Sequence, residues 1–205
     1  MKNLLKPLFV LFASTSLLNA QVNEKEFSEK YKNGDIVFQT SSSGQAKAIQ
    51  LATNSPYSHC GVLFFENNIC YVYEAVQPVR KIKFSIWIKN GEKQHFAVKR
   101  LKNEQLLSKE KIAHMKTMAN NLLYKDYDAL FEWGDDKFYC SELVWKLYNK
   151  NTGIELGKLK PLNEFNLKGK TVQDAVKKRF HGKIPNTKII SPEAIFNSEE
   201  LMEVY

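Results

Sequence analysis

The chain is poor in cysteine: three in 205 residues, Cys60, Cys70 and Cys140. So small and odd a number excludes the disulfide framework of a compact secreted scaffold and leaves at least one thiol unpaired in a monomer. Histidine is almost as scarce, four in all. His95, His114 and His181 have no partner at metal-ligand spacing and no cysteine pair reads as a zinc site, so neither a metal nor another cofactor is expected. The glycine loops that cradle phosphates are missing, which excludes the common nucleotide-binding designs. No internal repeat and no low-complexity linker interrupts the chain.

What is present points to one domain with a sizeable core: 43% of the residues are hydrophobic and 12% aromatic. The first twenty residues, "MKNLLKPLFVLFASTSLLNA", differ from the rest. Lys2 and Lys6 precede a short apolar run, and small and polar residues follow up to Ala20. This is the layout of a secretory signal peptide, too short for a permanent membrane span. We therefore expect an exported protein cut near Ala20, periplasmic or extracellular, with residues 21–205 forming the mature domain. The net charge is +8, and it is concentrated: ten lysines and one arginine lie between Lys146 and Lys188 against three acids. A solvated lysine-rich surface accounts for this, and peripheral contact with an anionic membrane or wall polymer is the functional alternative. No basic–aromatic pattern or nucleic-acid motif accompanies it, so nucleic acid is not an expected partner.

The patterning predicts an α+β fold with an antiparallel sheet. A strand is expected over Asp35 to Gln39, then a short helix capped by Ser42 or Ser43. Two β-rich runs joined by Asn67-Asn68 predict a hairpin, since asparagine tolerates the left-handed turn conformation. A further strand pair is expected around "RKIKFSIWI" and "QHFAVKRL". A helix follows from about Ser108 to Leu123, then one opened by Cys140, a short capped one near "TVQDAVKKRF", and a last strand at Ile189-Ile190.

The hairpin fixes a register. If Asn67-Asn68 is a two-residue loop, 66 pairs with 69, Gly61 falls opposite Glu74, and His59, Gly61 and Glu74 share a face. His59 and Glu74 are then diagonal neighbours with Gly61 leaving room between them, while Cys60 and Cys70 point to opposite faces. Cys140 stands at the N-terminal end of an apolar stripe continued by Leu143, Val144, Leu147 and Tyr148. A helix N-terminus favours a thiolate. Were the sheet to pack on this helix, His59 could take the thiol's proton and Glu74 could orient the imidazole. Spacing alone leaves this open, because a lone cysteine on an apolar stripe is more often a core residue. Asp135, Asp136 and Glu142 read as caps or solvated charges.

The segments "NGDIVFQ", "SSGQAKAIQLATNSPYSHCGVLF", "YVYEAV" and "FYCSELVWKLY", with "YDALF" and the "SPEAIFNS" tail, resemble the YiiX-like cysteine hydrolases. Those have a circularly permuted papain fold related to the NlpC-type cell-wall peptidases, with the histidine before the cysteine. The resemblance implies Cys140 as nucleophile, His59 as general base and Glu74 as the residue orienting it. It makes Tyr139 a site-lining or oxyanion residue, with backbone N–H groups around Cys140 as the other oxyanion donors, and gives Tyr127 and Asp128 structural or substrate-lining places. The implied substrate carries an amide or ester: a peptide, a wall peptide or a lipid. A lipid-directed thioesterase or acyltransferase, and a non-catalytic lipid- or peptide-binding protein, are the alternatives on the same fold.

Overall fold

The computed structural model describes residues 24–41 and 43–205. The expected signal segment, residues 1–20, and Ser42, one of the two proposed helix caps, lie outside the described residues.

A helix over 24–30 (α1) leads into β1 (Ile36–Ser41), α2 (Ala46–Thr53), and the hairpin β2 (His59–Glu66) and β3 (Ile69–Glu74). Then come β4 (Arg80–Lys83), α3 (Phe84–Asn90), β5 (Gly91–Leu101), α4 (Lys109–Asn121) and α5 (Cys140–Thr152). The chain closes with β6 (Lys160–Pro161), α6 (Lys170–Phe180), β7 (Lys188–Ile189), α7 (Pro192–Phe196) and β8 (Leu201–Glu203). Six strands form one antiparallel sheet in the order β4-β3-β2-β1-β5-β8, and β6 pairs with β7 apart from it.

Strand alternation divides the core. Ile36, Phe38, Cys60, Val62, Phe64 and Tyr73 point to one face of the sheet and pack with Leu143, Val144, Leu147 and Tyr148 of α5. Val37, Leu63, Cys70 and Val72 point to the other face and meet Phe84, Trp87 and Tyr31. Cys60 and Cys70 are thus separated by the sheet, and all three cysteines are free and buried. The sheet lies against the helix opened by Cys140, as a permuted papain-like fold requires.

The hairpin register is the one derived from the turn. Val62 pairs with Tyr73, Leu63 with Val72 and Glu66 with Ile69, and Asn67 and Asn68 both take positive φ, 50° and 63°. Gly61 is needed for more than room between His59 and Glu74: a Cβ there would lie 2.6 Å from Val72 Cγ1 and 2.8 Å from the Tyr73 carbonyl oxygen.

Four local expectations are corrected. "FSIWI" is helical, because Phe84 and Trp87, three apart, bury one face of α3 over the sheet. Accordingly β4 and β5 do not pair; β4 edges β3 and β5 joins β1. The short helix starts at Ala46 with Gln45 as its N-cap and no side-chain cap, so Ser43 does not fill that place. Ile189 belongs to the small β6–β7 pair, and the last strand of the main sheet is β8, whose Leu201 pairs with Leu101.

Candidate active site

α5 begins where it does because Phe138 and Tyr139 are extended and Glu142 bonds backward. Tyr139 sits at φ −98°, ψ 164°, and its N–H donates to the Glu142 carboxylate at 3.3 Å, the backward half of a capping box. Gly153, at φ 77°, ends the helix in the left-handed conformation. Glu142 is fully buried and ion-paired with Lys146 at 2.8 Å, so it is not a solvated charge. Burial raises its carboxyl pKa to about 7 despite the opposing lysine. Lys146 is likewise buried, held also by Asp135 at 3.0 Å and by the Gly134 carbonyl. The other lysines of the 146–188 stretch are exposed, the solvated surface first considered.

The structure brings Cys140, His59 and Glu74 together. His59, the first residue of β2, is hydrogen-bonded to Glu74 through its Nε2 at 2.5 Å, which leaves Nδ1 for the other side of the ring. Glu74 is 1% exposed and bound three ways: by His59, by Trp87 Nε1–H at 2.8 Å and by Arg80 Nε–H at 2.7 Å. Cys140 lies beside the imidazole and beside Cys60, near enough for each to act on the thiol's ionisation.

The electrostatics follow. Burial works against a charged His59, but hydrogen bonds to Cys140 and Glu74 and their negative charges raise its pKa from 6.5 to about 10. Burial likewise works against the Glu74 carboxylate, yet the imidazolium and Arg80 bring it down to about 2. The Cys60 thiol's hydrogen bond, opposed by burial and helped by His59, holds the Cys140 thiol well below its usual range. Cys60 itself is pushed well above that range by burial and by donating to Cys140. At neutral pH this arrangement favours a thiolate beside an imidazolium.

Tyr139 packs against Phe131, and its hydroxyl accepts from the Ile190 N–H at 3.1 Å. Its oxygen is therefore engaged in placing the β7–α7 junction. Tyr127 lines the cleft at Cys140, its N–H bonded to Gln77 Oε1 at 2.6 Å. Asp128 folds the following loop by accepting from the Leu130 and Glu132 N–H groups at 2.9 and 2.5 Å. The remaining histidines lie elsewhere. His95 stacks on Tyr57, His114 Nδ1 bonds Asn151, and His181 caps α6. Arg80, Trp87 and Cys60 belong to the site without having been singled out. Arg80 was reachable by extending the register, since it pairs with Glu74; Trp87 was hidden once α3 had been read as strand.

Fold and site define a protein of papain-like type whose histidine strand precedes its cysteine helix. The family described as permuted papain-like amidase enzyme, YaeF/YiiX, C92 family, matches residues 30–205, and the chain belongs to it. The uncharacterized protein YiiX of Escherichia coli strain K12 is 41% identical over 189 residues, 92% of this chain and 93% of that one. A crystal structure described as metalloprotein yiiX from Escherichia coli O157:H7 superposes with a TM-score of 0.82 at 42% identity, covering 86% of this chain and 97% of that one. Among the described residues here, no group of three His, Cys, Asp or Glu side chains is gathered closely enough to hold a metal ion. The Glu74 oxygens are already taken up by His59, Trp87 and Arg80.

Proposed function

We propose that the protein is an exported cysteine amidase working through an acyl-enzyme on Cys140. The observation that carries this reading is the thiol–imidazole–carboxylate chain, with the thiol at the first position of a helix. The Cys140 thiolate attacks a carbonyl carbon, forming a C–S bond as the carbonyl electrons move to oxygen. The N–H of Cys140, in the helix turn whose amides lack intrahelical partners, is suited to receive that oxyanion. Collapse breaks the C–N bond, and the His59 imidazolium gives its proton to the departing amine. Water then yields a proton to His59 and its oxygen to the acyl carbon; the C–S bond breaks and the thiolate–imidazolium pair is restored. Glu74 holds the ring in place and stabilises its charged form, an ester being cleaved by the same steps.

Export is supported by the basic, apolar and small-residue order of residues 1–20, and N-terminal sequencing of the protein recovered from cells tests for a start just after Ala20. The exposed lysines beyond Lys146 suit an anionic wall or membrane surface.

The catalytic reading is tested by alkylating Cys140 across pH in the wild type and in His59→Ala. Rapid reaction well below pH ~8, the region of an ordinary thiol, lost without His59, is expected. A thiol that titrates ordinarily whether or not His59 is present would overturn it.

A further inference from the structure

The two cysteines on the α5 side of the sheet differ in access. Cys140 is 6% exposed and lines the wall of the cleft, so a small solute can meet its thiol. Cys60 is shut in completely, in the core where α5 packs on β2. Strand alternation sends His59 and Cys60 to opposite faces of the sheet, yet both lie beside Cys140. The start of β2 allows this: α5 sets its first side chain at the end of that strand, within reach of either face. Cys70 sits across the sheet with Val37, Leu63 and Val72 and takes no part in the group.

A thiolate is the form of cysteine that peroxides oxidise, so the groups that ready Cys140 for a carbonyl ready it for peroxide as well. The first product is a sulfenic acid. Left alone with more oxidant it goes on to sulfinic acid, from which a thiol reductant does not recover it; a neighbouring thiol diverts it to a disulfide instead. Cys60 is that neighbour. Burial and the Cys140 charge keep its proton on while Cys140 is a thiolate. Once Cys140 is a neutral sulfenic acid its charge no longer holds that proton, and burial and Glu74 alone oppose its loss.

Resting on the thiolate reading of Cys140 and adding a modification to it, we propose that Cys140 and Cys60 form a peroxide-reactive site with Cys60 as the resolving thiol. With hydrogen peroxide, the Cys140 thiolate attacks one oxygen; the S–O bond forms and the O–O bond breaks. The departing hydroxide takes the His59 proton and leaves as water. The sulfur has lost two electrons and the peroxide has gained them. The Cys60 sulfur then attacks Cys140 Sγ; the S–S bond forms, the S–O bond breaks, and the hydroxide leaves with the Cys60 proton as a second water. The disulfide masks the nucleophile in a form that a dithiol restores by exchange.

The test treats the purified protein with hydrogen peroxide at neutral pH, blocks the remaining thiols with iodoacetamide in denaturant, and maps the products by mass spectrometry. Cleavage after Glu66 separates Cys60 from Cys70. A cross-linked Cys60–Cys140 peptide is expected, with Cys70 still a thiol and Cys140 alkylation fully restored by dithiothreitol. In Cys60→Val, shown to be folded by its alkylation of Cys140, the same treatment should carry Cys140 to sulfinic acid, and dithiothreitol should restore none of it. Should that variant not fold, the wild-type map decides alone. Wild-type Cys140 that ends as sulfinic acid without a cross-link to Cys60 overturns the resolving role, as does full recovery in folded Cys60→Val. Rapid Cys140 alkylation in untreated protein would then leave the hydrolase reading standing. A Cys140 that reacts with neither iodoacetamide nor peroxide overturns both.

Discussion

Replacing Glu74 by glutamine removes one charge and changes almost no volume. Both Glu74 oxygens are engaged: one accepts from His59 and Trp87, the other from Arg80. An amide offers a single acceptor oxygen. If that oxygen faces His59 and Trp87, the NH2 group confronts the Arg80 N–H; the flipped amide confronts the indole N–H instead. The first orientation opposes one half-exposed donor and the second opposes two buried ones, so the first is preferred and the loss is at most about 1–3 kcal/mol. For a chain of this size that is a fall of about 2–4 °C in Tm per kcal/mol. The effect on chemistry is separable from this. A charge-assisted hydrogen bond contributes about 1.5–3 kcal/mol, which corresponds to about one to two pH units. Without the carboxylate the imidazolium is less favoured, so the His59 pKa falls from about 10 and the Cys140 pKa rises toward the ordinary range. The acid-side midpoint of Cys140 alkylation should move up by about one to two pH units, with kcat/KM reduced about ten- to a hundredfold. The assay is the iodoacetamide rate from pH 4 to 10, as a rough span around ordinary thiol and imidazole values, beside a melting curve for each variant. A folded Glu74→Gln protein whose alkylation midpoint does not move would refute the claim that this carboxylate supports the ion pair.

Cys60→Val, close to isosteric, withdraws a thiol donor from Cys140; its alkylation midpoint should rise by less than in Glu74→Gln, and an unchanged profile would dismiss Cys60 as a positioning residue. Gly61→Ala drives a methyl group into Val72 and the Tyr73 carbonyl, 2.6 and 2.8 Å away; denaturant titration should show a loss of at least about 1–3 kcal/mol. Glu142 has a folded pKa raised to about 7, so its contribution to stability is fully present below the unfolded value near 4.5 and is lost as pH rises through 7. Chemical denaturation at intervals across that window should show the decline in the wild type and its disappearance in Glu142→Gln, which keeps the cap. Glu74 works in the opposite sense: with a folded pKa of about 2, its contribution is present above about 4.5 and is lost as the pH falls toward 2, a slope that Glu74→Gln should remove.

The parts of this molecule that were legible in the sequence are those that a local rule dictates. Two adjacent asparagines between β-branched runs set a turn, the turn set the register, and the register brought His59 and Glu74 to one face before any packing was known. The Cys140 helix announced itself by the spacing of Leu143, Val144 and Leu147. Competing rules defeated the reading elsewhere. "FSIWI" alternates apolar and polar residues like a strand, yet also carries Phe84 and Trp87 three apart; the sheet beneath it decided for helix. Ser43 has a capping side chain but lies too early, and β8 is only three residues long, so it exists through pairing with β5 rather than through its own pattern. Glu142 was legible as a cap, which it is, but only the tertiary packing of α5 shows it and Lys146 to be a buried pair.

His59 and Glu74 lie on one hairpin, and Cys140 arrives much later in the chain on a helix that must dock. This inverts the usual meaning of thiol labelling. Cys60 and Cys70, shut in on opposite faces of the sheet, should resist a reagent in the native protein and yield to it only on unfolding. Cys140 should do the reverse at mildly acidic pH, labelling fast while α5 is seated and slowing to the sluggish rate of a free thiol when the helix lifts away. The same chain thus carries clocks running in opposite directions, and their comparison would distinguish local undocking of α5 from global loss of the fold.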